Sequence, residues 1–207
     1  DSPPLLGHPG IEIGDDTAAR GVMSHAIGLG HTRIAIVIDA VRSRGRAGRV
    51  ALADQERISR ARSAGRLRGY RLAALNADLP WAAIPAYAAG ADTEVAGRAI
   101  GDLVLADVPT PTVVFCTSDR LASGMLLAAK AAGLSVPGQI SVIGFDDTPL
   151  SRSTTPPLTS VRLDHLAKGE AAGEAMLALL DGRTVPPSPR VLPKIVVRES
   201  LKEPRGS

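Results

Sequence analysis

Asp146 and Asp147 stand side by side just after an apolar run, where a carboxylate pair could accept a phosphoryl group or act as a general acid. Consecutive residues at a strand end point in different directions, so only one of the two can face a cleft. The other is left a turn role leading into Thr148 and Pro149. Thr117, Ser118 and Asp119 form a second polar cluster after another apolar run. No nucleophile completes either cluster. G-x-S-x-G is absent, and the single cysteine, Cys116, lies inside an apolar run, where a thiol is buried and inert. There is no G-x-x-x-x-G-K-[ST], and Gly28-Leu29-Gly30 sits at a helix end and reads as a helix stop. His8, His25, His31 and His165 show neither H-E-x-x-H nor Cys–His spacing, so no metal site and no cofactor is expected. His31 follows the helix stop, where an imidazole bonds the last carbonyls.

The elements that must position these residues alternate along the chain. Asp15 or Asp16 caps a helix running to Leu29. Arg33 to Ile38 is a β-branched apolar run of the kind found in buried parallel strands. The stretch from Ala40 to Ser59, rich in Gly and Arg, is expected to be irregular. A helix covers 62–77, with Leu67, Tyr70, Ala74 and Leu75 at helical spacing. A weak strand is expected from Ala82 to Tyr87, and a helix from Thr93 to Leu105. Thr112 to Cys116 is a strand, Asp119 to Ala132 a helix capped by Thr117 or Ser118, and Ile140 to Gly144 a strand. Val161 opens a short strand, Leu166 to Leu180 is a helix stopped by Gly182, and Val191 to Val197 is a last strand. Repeated strand–helix–strand units imply an α/β fold with a parallel sheet covered on both faces. Ligands of such sheets sit beyond the carboxyl ends of the strands, which is where the two polar clusters fall.

Composition narrows the function classes. The 207 residues suffice for one domain or two small ones at about 100–200 residues each. Hydrophobic residues at 44% support a core, while aromatics at 2% argue against a stacking platform for single-stranded nucleic acid. No stretch approaches the ~20 apolar residues of a membrane span. Asp1 to Gly10 is not basic and leads into no signal-type apolar run, so nothing in it directs secretion, and one cysteine suits a reducing compartment. A net charge of +3 is no nucleic-acid signature, and the nearest approach to a basic patch, Arg42 to Arg66, reads as a solvated loop and helix start. Pro156-Pro157 and Pro186 to Pro189 mark turns.

Five motifs occur in order. They are Gly30-His31-Thr32-Arg33-Ile34-Ala35-Ile36; Arg66-Leu67-Arg68-Gly69-Tyr70; Phe115 through Ser118 and Asp119 to Gly124; Leu134 through Pro137 to Phe145-Asp146-Asp147; and Pro156-Pro157-Leu158-Thr159-Ser160-Val161. Each is weak alone. Together, over nearly the whole chain, they resemble the effector-binding core of the lactose-repressor/galactose-repressor family of bacterial transcription regulators.

The resemblance implies the periplasmic-binding-protein-like fold: two doubly wound parallel-sheet lobes joined by three crossovers. Residues 33–158 and 190–207 resemble the C-terminal lobe. Residues 1–32 and 159–189 resemble only part of the N-terminal lobe, so the chain is expected to be N-terminally truncated, with exposed apolar surface on that lobe. The family places a small molecule between the lobes, usually a sugar, a polyol or a nucleoside-like metabolite. By position, Arg66 matches its ligand-contacting arginine and Asp146 its acidic contact, a carboxylate suited to vicinal hydroxyls. Ser118 stands where many members have Asn and doubles as a helix cap. Asp15 lies near the contact from the other lobe, with Asp16 an equal candidate. Asp92 falls where several members carry an aromatic lid, and Tyr87 is a substitute ring or a core residue. The resemblance further implies a cytoplasmic homodimer with no membrane partner, bound to operator DNA only through a helix-turn-helix that has no counterpart here. No heptad tail for tetramers follows Val197. A transporter's solute-binding protein of the same fold and an α/β enzyme using Asp146 or Asp147 remain as alternatives.

Overall fold

Ile34–Ile38 (β1) shows why this chain makes a two-faced sheet. All five residues are buried. Ile34, Ile36 and Ile38 enter one apolar cluster, whereas Ala35 and Val37 enter another. That is the period of two of a strand covered on both sides. The computed structural model describes residues 14–39, 47–55, 58, 61–184 and 193–205. The expectations for Asp1 to Gly10, for residues 42–46, 56–57 and 59–60 of the basic stretch and for Pro186 to Pro189 lie outside them.

Around β1 the chain lays down β2 (Gly48–Val50), β3 (Ala86–Ala88), β4 (Val113–Cys116) and β5 (Ser141–Ile143). The sheet order is β2-β3-β1-β4-β5. β3, β1, β4 and β5 are parallel, with Ile36 opposite both Ala86 and Phe115, and β2 runs antiparallel to β3 on the edge. Helices α1 (Asp15–Gly28) and α3 (Ala61–Asn76) cover one face; α4 (Glu94–Leu105) and α5 (Asp119–Ala131) cover the other.

Two glycines set how closely these helix pairs approach. A Cβ on Gly69 of α3 would stand 2.1 Å from the Asp16 carbonyl oxygen of α1, and one on Gly124 of α5 would stand 2.2 Å from the Glu94 carbonyl oxygen of α4. Neither crossing could accommodate a methyl group without a backbone shift. Helix α1, part of the 1–32 segment that the resemblance grouped with the N-terminal lobe, packs on α3. It contributes Ala18, Ala19, Val22, Met23 and Ala26 to the core cluster that holds Ile36 and Phe115.

The second unit is a ribbon. β6 (Ser160–Arg162) pairs antiparallel with β7 (Lys194–Val196), and α7 (His165–Leu180) lies between them in sequence. The ribbon springs from the sheet edge: the Asp146 N–H donates to the Val161 carbonyl, and the Gly144 N–H to the Thr159 carbonyl. Only Ala171 and Ala178 of α7 are buried, while Leu166, Met176, Leu177, Leu179 and Leu180 are exposed. Residues after β7 return to the sheet, where Ser200 Oγ donates to the Val142 carbonyl at 2.6 Å and its carbonyl accepts from the Val142 N–H.

Several local expectations need correction. The N-cap of α1 is Gly14, not an aspartate. Asp15 and Asp16 lie in the first turn, where they meet the positive end of the helix dipole. The stretch from Ala40 to Ser59 contains β2 and a one-turn helix α2 (Leu52–Gln55), so it is not irregular throughout. The expected strand at Ala82 begins instead as a 3-10 turn (Trp81–Ala83), because Pro80 and Pro85 bracket too short a run, and pairing starts only at Ala86. α6 (Leu150–Ser153) is a short helix with no periodic signal. His31 bonds no helix carbonyl through its ring. Its Nε2 lies 2.8 Å from the Lys202 carbonyl and its Nδ1 2.9 Å from Thr112 Oγ1, tying the chain's return segment to the base of β4.

Candidate functional site

The carboxyl ends of β4 and β5 converge on one guanidinium. Arg66 sits on the sheet-facing side of α3 and is 1% exposed. Its Nη2 donates to Asp146 Oδ1 at 2.8 Å, after β5, and to Asp15 Oδ1 at 3.2 Å, on α1. Its Nε also donates to Asp15 Oδ1 at 3.2 Å, and its Nη1 to the Thr117 carbonyl after β4. The Phe145 ring lies beneath, 3.7 Å from the guanidinium carbon, an arrangement that favours the cation electrostatically. Four segments distant in sequence are therefore joined through one side chain. Next to Arg66, Ser63 Oγ donates to Asp39 after β1.

The floor of this crown is apolar. Tyr70 packs on Phe115 with ring centroids 5.2 Å apart, and its hydroxyl, wholly buried, has no hydrogen-bond partner. Burial pushes that phenol well above its ordinary range, so it stays protonated. Burial does the same to the Cys116 thiol, consistent with a thiol that is inert at neutral pH.

Ser118 and Asp92 form a neighbouring pair. Ser118 Oγ accepts from the Leu121 N–H at 3.1 Å, capping α5, and donates to Asp92 Oδ1. Asp92 Oδ2 in turn accepts from Arg120 Nη2 at 2.8 Å. Of the sequence candidates, Arg66, Asp15 and Asp146 thus share one cluster, and Ser118 and Asp92 share a second beside it. Asp16 takes no part in the first cluster; its carboxylate accepts from the Thr17 N–H. Tyr87 is 3% exposed and donates to Asp107, so its ring is a core residue and not a lid.

Asp146 and Asp147 separate because both adopt left-handed backbone, with φ of 96° and 48°. Such conformations cost about 1–3 kcal/mol each and persist only where the surroundings hold them. Asp146 turns to Arg66. Asp147 turns the other way, its side chain fully buried, and accepts from Arg162 Nε and Arg198 Nη2, each at 2.6 Å, and from Ser151 Oγ at 2.9 Å. Burial pushes its pKa up, but Arg198, Arg162 and Ser151 outweigh that and hold it below the ordinary carboxylate value. Asp119 behaves oppositely: burial dominates and raises its pKa although Ser160 and Thr148 donate to it. It anchors the β5–α6 loop to β6.

Sequence reasoning missed the Thr117 carbonyl, Phe145 as the surface under Arg66, and Arg162 and Arg198 as partners of Asp147. Phe145 had a signal, since it immediately precedes the acidic pair. The two arginines had none, because their spacing to Asp147 follows from the ribbon alone. Among the described residues no group of three or more His, Cys, Asp or Glu is placed to hold a metal, and no helix is long and apolar enough to cross a membrane.

The fold, though not the cluster, can be set against known proteins. A family model described as a periplasmic binding protein-like domain covers residues 23–201. The chain belongs to that family. Its curated relatives are of the lactose-repressor/galactose-repressor type. The HTH-type transcriptional repressor CytR of Escherichia coli is 33% identical over 181 residues, covering 86% of this chain and 46% of that protein. The HTH-type transcriptional regulator MalR of Streptomyces coelicolor is 45% identical over 96 residues, 46% of this chain and 28% of that protein. A regulatory protein of the LacI family from Chloroflexus aggregans superposes with a TM-score of 0.76 at 29% identity, covering 97% of this chain and 66% of that one. A LacI-family regulator from Corynebacterium glutamicum reaches a TM-score of 0.85 at 24% identity, a likeness of fold. The matched region thus spans less than half the length of these curated relatives.

Proposed function

We propose that this chain is the effector-sensing core of a bacterial DNA-binding transcription regulator, and that a sugar, polyol or nucleoside-like metabolite binds at the crown around Asp146 and Asp15. The observation that carries the reading is the Arg66–Asp15–Asp146 cluster, set where ligands of parallel sheets bind. Arg66 is enclosed by its own partners, so in this reading it orients the two carboxylates, and the Asp146 carboxylate accepts ligand hydroxyls. Ser118 and Asp92 supply the adjoining wall.

The body formed by the five-stranded sheet acts in this reading as one lobe, and the β6–β7 ribbon with α7 leads toward the other. Ligand between the lobes selects one relative orientation, and a helix-turn-helix outside these 207 residues carries the operator contact in a cytoplasmic homodimer. Such a switch needs differential affinity: about 5.5 kcal/mol to move a 1:99 population to 99:1. The curated relatives quoted are regulators, which favours this reading over a transporter's binding protein and over an enzyme.

A thermal-shift screen of neutral sugars, polyols and nucleosides, followed by calorimetry of the best binder, tests the proposal. Asp146→Ala is expected to weaken that binder at least tenfold. Unchanged affinity in both Asp146→Ala and Asp15→Ala would overturn it.

A further inference from the structure

Asp147 meets the ribbon both at β6 and just after β7. Its Oδ2 holds Arg162 at the end of β6, its Oδ1 holds Arg198 just after β7, and its N–H donates to Ser160 Oγ at 3.1 Å. Arg198 also donates through Nη1 to the Leu158 carbonyl at 2.7 Å and to Ser151 Oγ at 3.1 Å, which fixes the entry to the ribbon. Opposed pairs on a fully buried carboxylate have little geometric freedom, with Arg162 placing both Nε and Nη2 on Oδ2 and Arg198 holding Oδ1. One peptide bond away, Asp146 is held from two sides: its side chain pairs with Arg66, and its N–H donates to Val161 of β6. Residues 146 and 147 therefore belong to the crown and to the ribbon at once.

We propose that Asp147 is the coupling residue between crown and ribbon: its carboxylate sets the angle at which β6, β7 and α7 leave the sheet, and a change at Asp146 alters that angle through it. The clamp follows from the contacts alone. Its use by an effector rests on the function proposed above. Asp147 touches no ligand in this reading and acts as a positioning residue for Arg162 and Arg198.

The test needs no effector. Spin labels are placed on the full chain at Lys130→Cys of α5 and Glu174→Cys of α7, both exposed, while Cys116 is buried and escapes labelling. Pulsed electron–electron distance measurements then compare the parent with Asp146→Ala, Asp147→Asn and the double variant. The parent is expected to give one narrow distance, and Asp146→Ala a displaced but still narrow one. Asp147→Asn should at least double the width, and the double variant should match Asp147→Asn. A parent-like narrow distance in Asp147→Asn, or an equal displacement by Asp146→Ala with and without Asp147, would overturn the proposal. If circular dichroism shows that Asp147→Asn does not fold, Arg162→Gln and Arg198→Gln each remove one arm. Each must then broaden the distance, and parent-like widths in both would count as refutation. Loss of effector binding in the earlier screen leaves these outcomes unaffected, so the two readings fail separately.

Discussion

Arg66 Nη2 stands 2.8 Å from Asp146 Oδ1, joining the middle of α3 to a strand end 80 residues later. With Asp15 on its other side, this arginine serves two carboxylates at once while being 1% exposed. Deleting it leaves both acids facing a poorly solvated floor. Arg66→Ala is therefore expected to lower folding stability by about 3–5 kcal/mol, the range for breaking a buried pair from one side. Asp146→Ala, at a rim position, should cost less. Urea melts of the two variants check the ordering, and a larger loss for Asp146→Ala would contradict it.

The α1–α3 crossing should not tolerate a methyl group. Gly69→Ala pushes a Cβ into the Asp16 carbonyl and within 2.8 Å of the Ala19 Cβ. A loss of about 1–3 kcal/mol or more is expected, with a similar loss for Gly124→Ala at the α4–α5 crossing. Gly173→Ala, in α7 with nothing near its Cβ, is the control and should be neutral or slightly stabilising. Thermal denaturation of the three variants provides the comparison.

Stability should fall as the pH is lowered through the histidine range. Burial holds the His31 pKa below its ordinary 6.5, despite the Lys202 carbonyl pulling it up. The unfolded chain therefore binds more protons than the folded chain across that window. The His31 contribution is complete above 6.5 and is lost as pH falls through the lowered value. Asp147, with its pKa held low, loses its contribution only in stronger acid, and Asp119, with its pKa raised, works in the opposite sense as pH falls. His31→Gln should melt at a lower temperature than the parent at about pH 7, with a flatter profile between about pH 7 and 5. A parallel profile in the variant would show that His31 is not the group responsible.

Helix α7 should drive self-association. Leu177 and Leu180 are 59% and 75% exposed, and Met176 is 60% exposed beside them. An apolar stripe of this kind on a free helix is an association surface. The chain is expected to sediment as concentration-dependent oligomers, and Leu177→Glu with Leu180→Glu should return it to monomer with an unchanged melting temperature. A monomeric parent at high concentration would refute this.

The parallel sheet was legible because strands buried on both faces announce themselves as unbroken β-branched runs, as Ile34 to Ile38 does. The Asp164 cap of α7 came only with the structure, whereas helices α4 and α5 were legible through Thr93 and Ser118, whose side chains each accept an N–H of the first turn. β2 was not, because its three residues, Gly48, Arg49 and Val50, carry no pattern and owe their pairing to the neighbouring edge of β3. The crown was partly legible. Arg66 and Asp146 stood out by position, but their mutual bond did not, since nothing local links residues so far apart. Between Asp15 and Asp16, only packing against α3 decides which one meets the arginine. The division of work between Asp146 and Asp147 depends on two successive left-handed residues, a backbone state that aspartate tolerates but does not announce.

The return of Ser200 and Lys202 to the sheet has a consequence for biosynthesis. The outer edge of β5 is sealed by residues about sixty positions downstream of it, and the base of β4 is latched through His31 by the same stretch. A nascent chain that has already emitted every strand of the parallel sheet must still wait with that flank open until residue 202 clears the ribosome. The final closure therefore follows synthesis of the whole parallel sheet, and a stall or frameshift shortly before that codon leaves a product with helices α1 to α7 but an unsealed side.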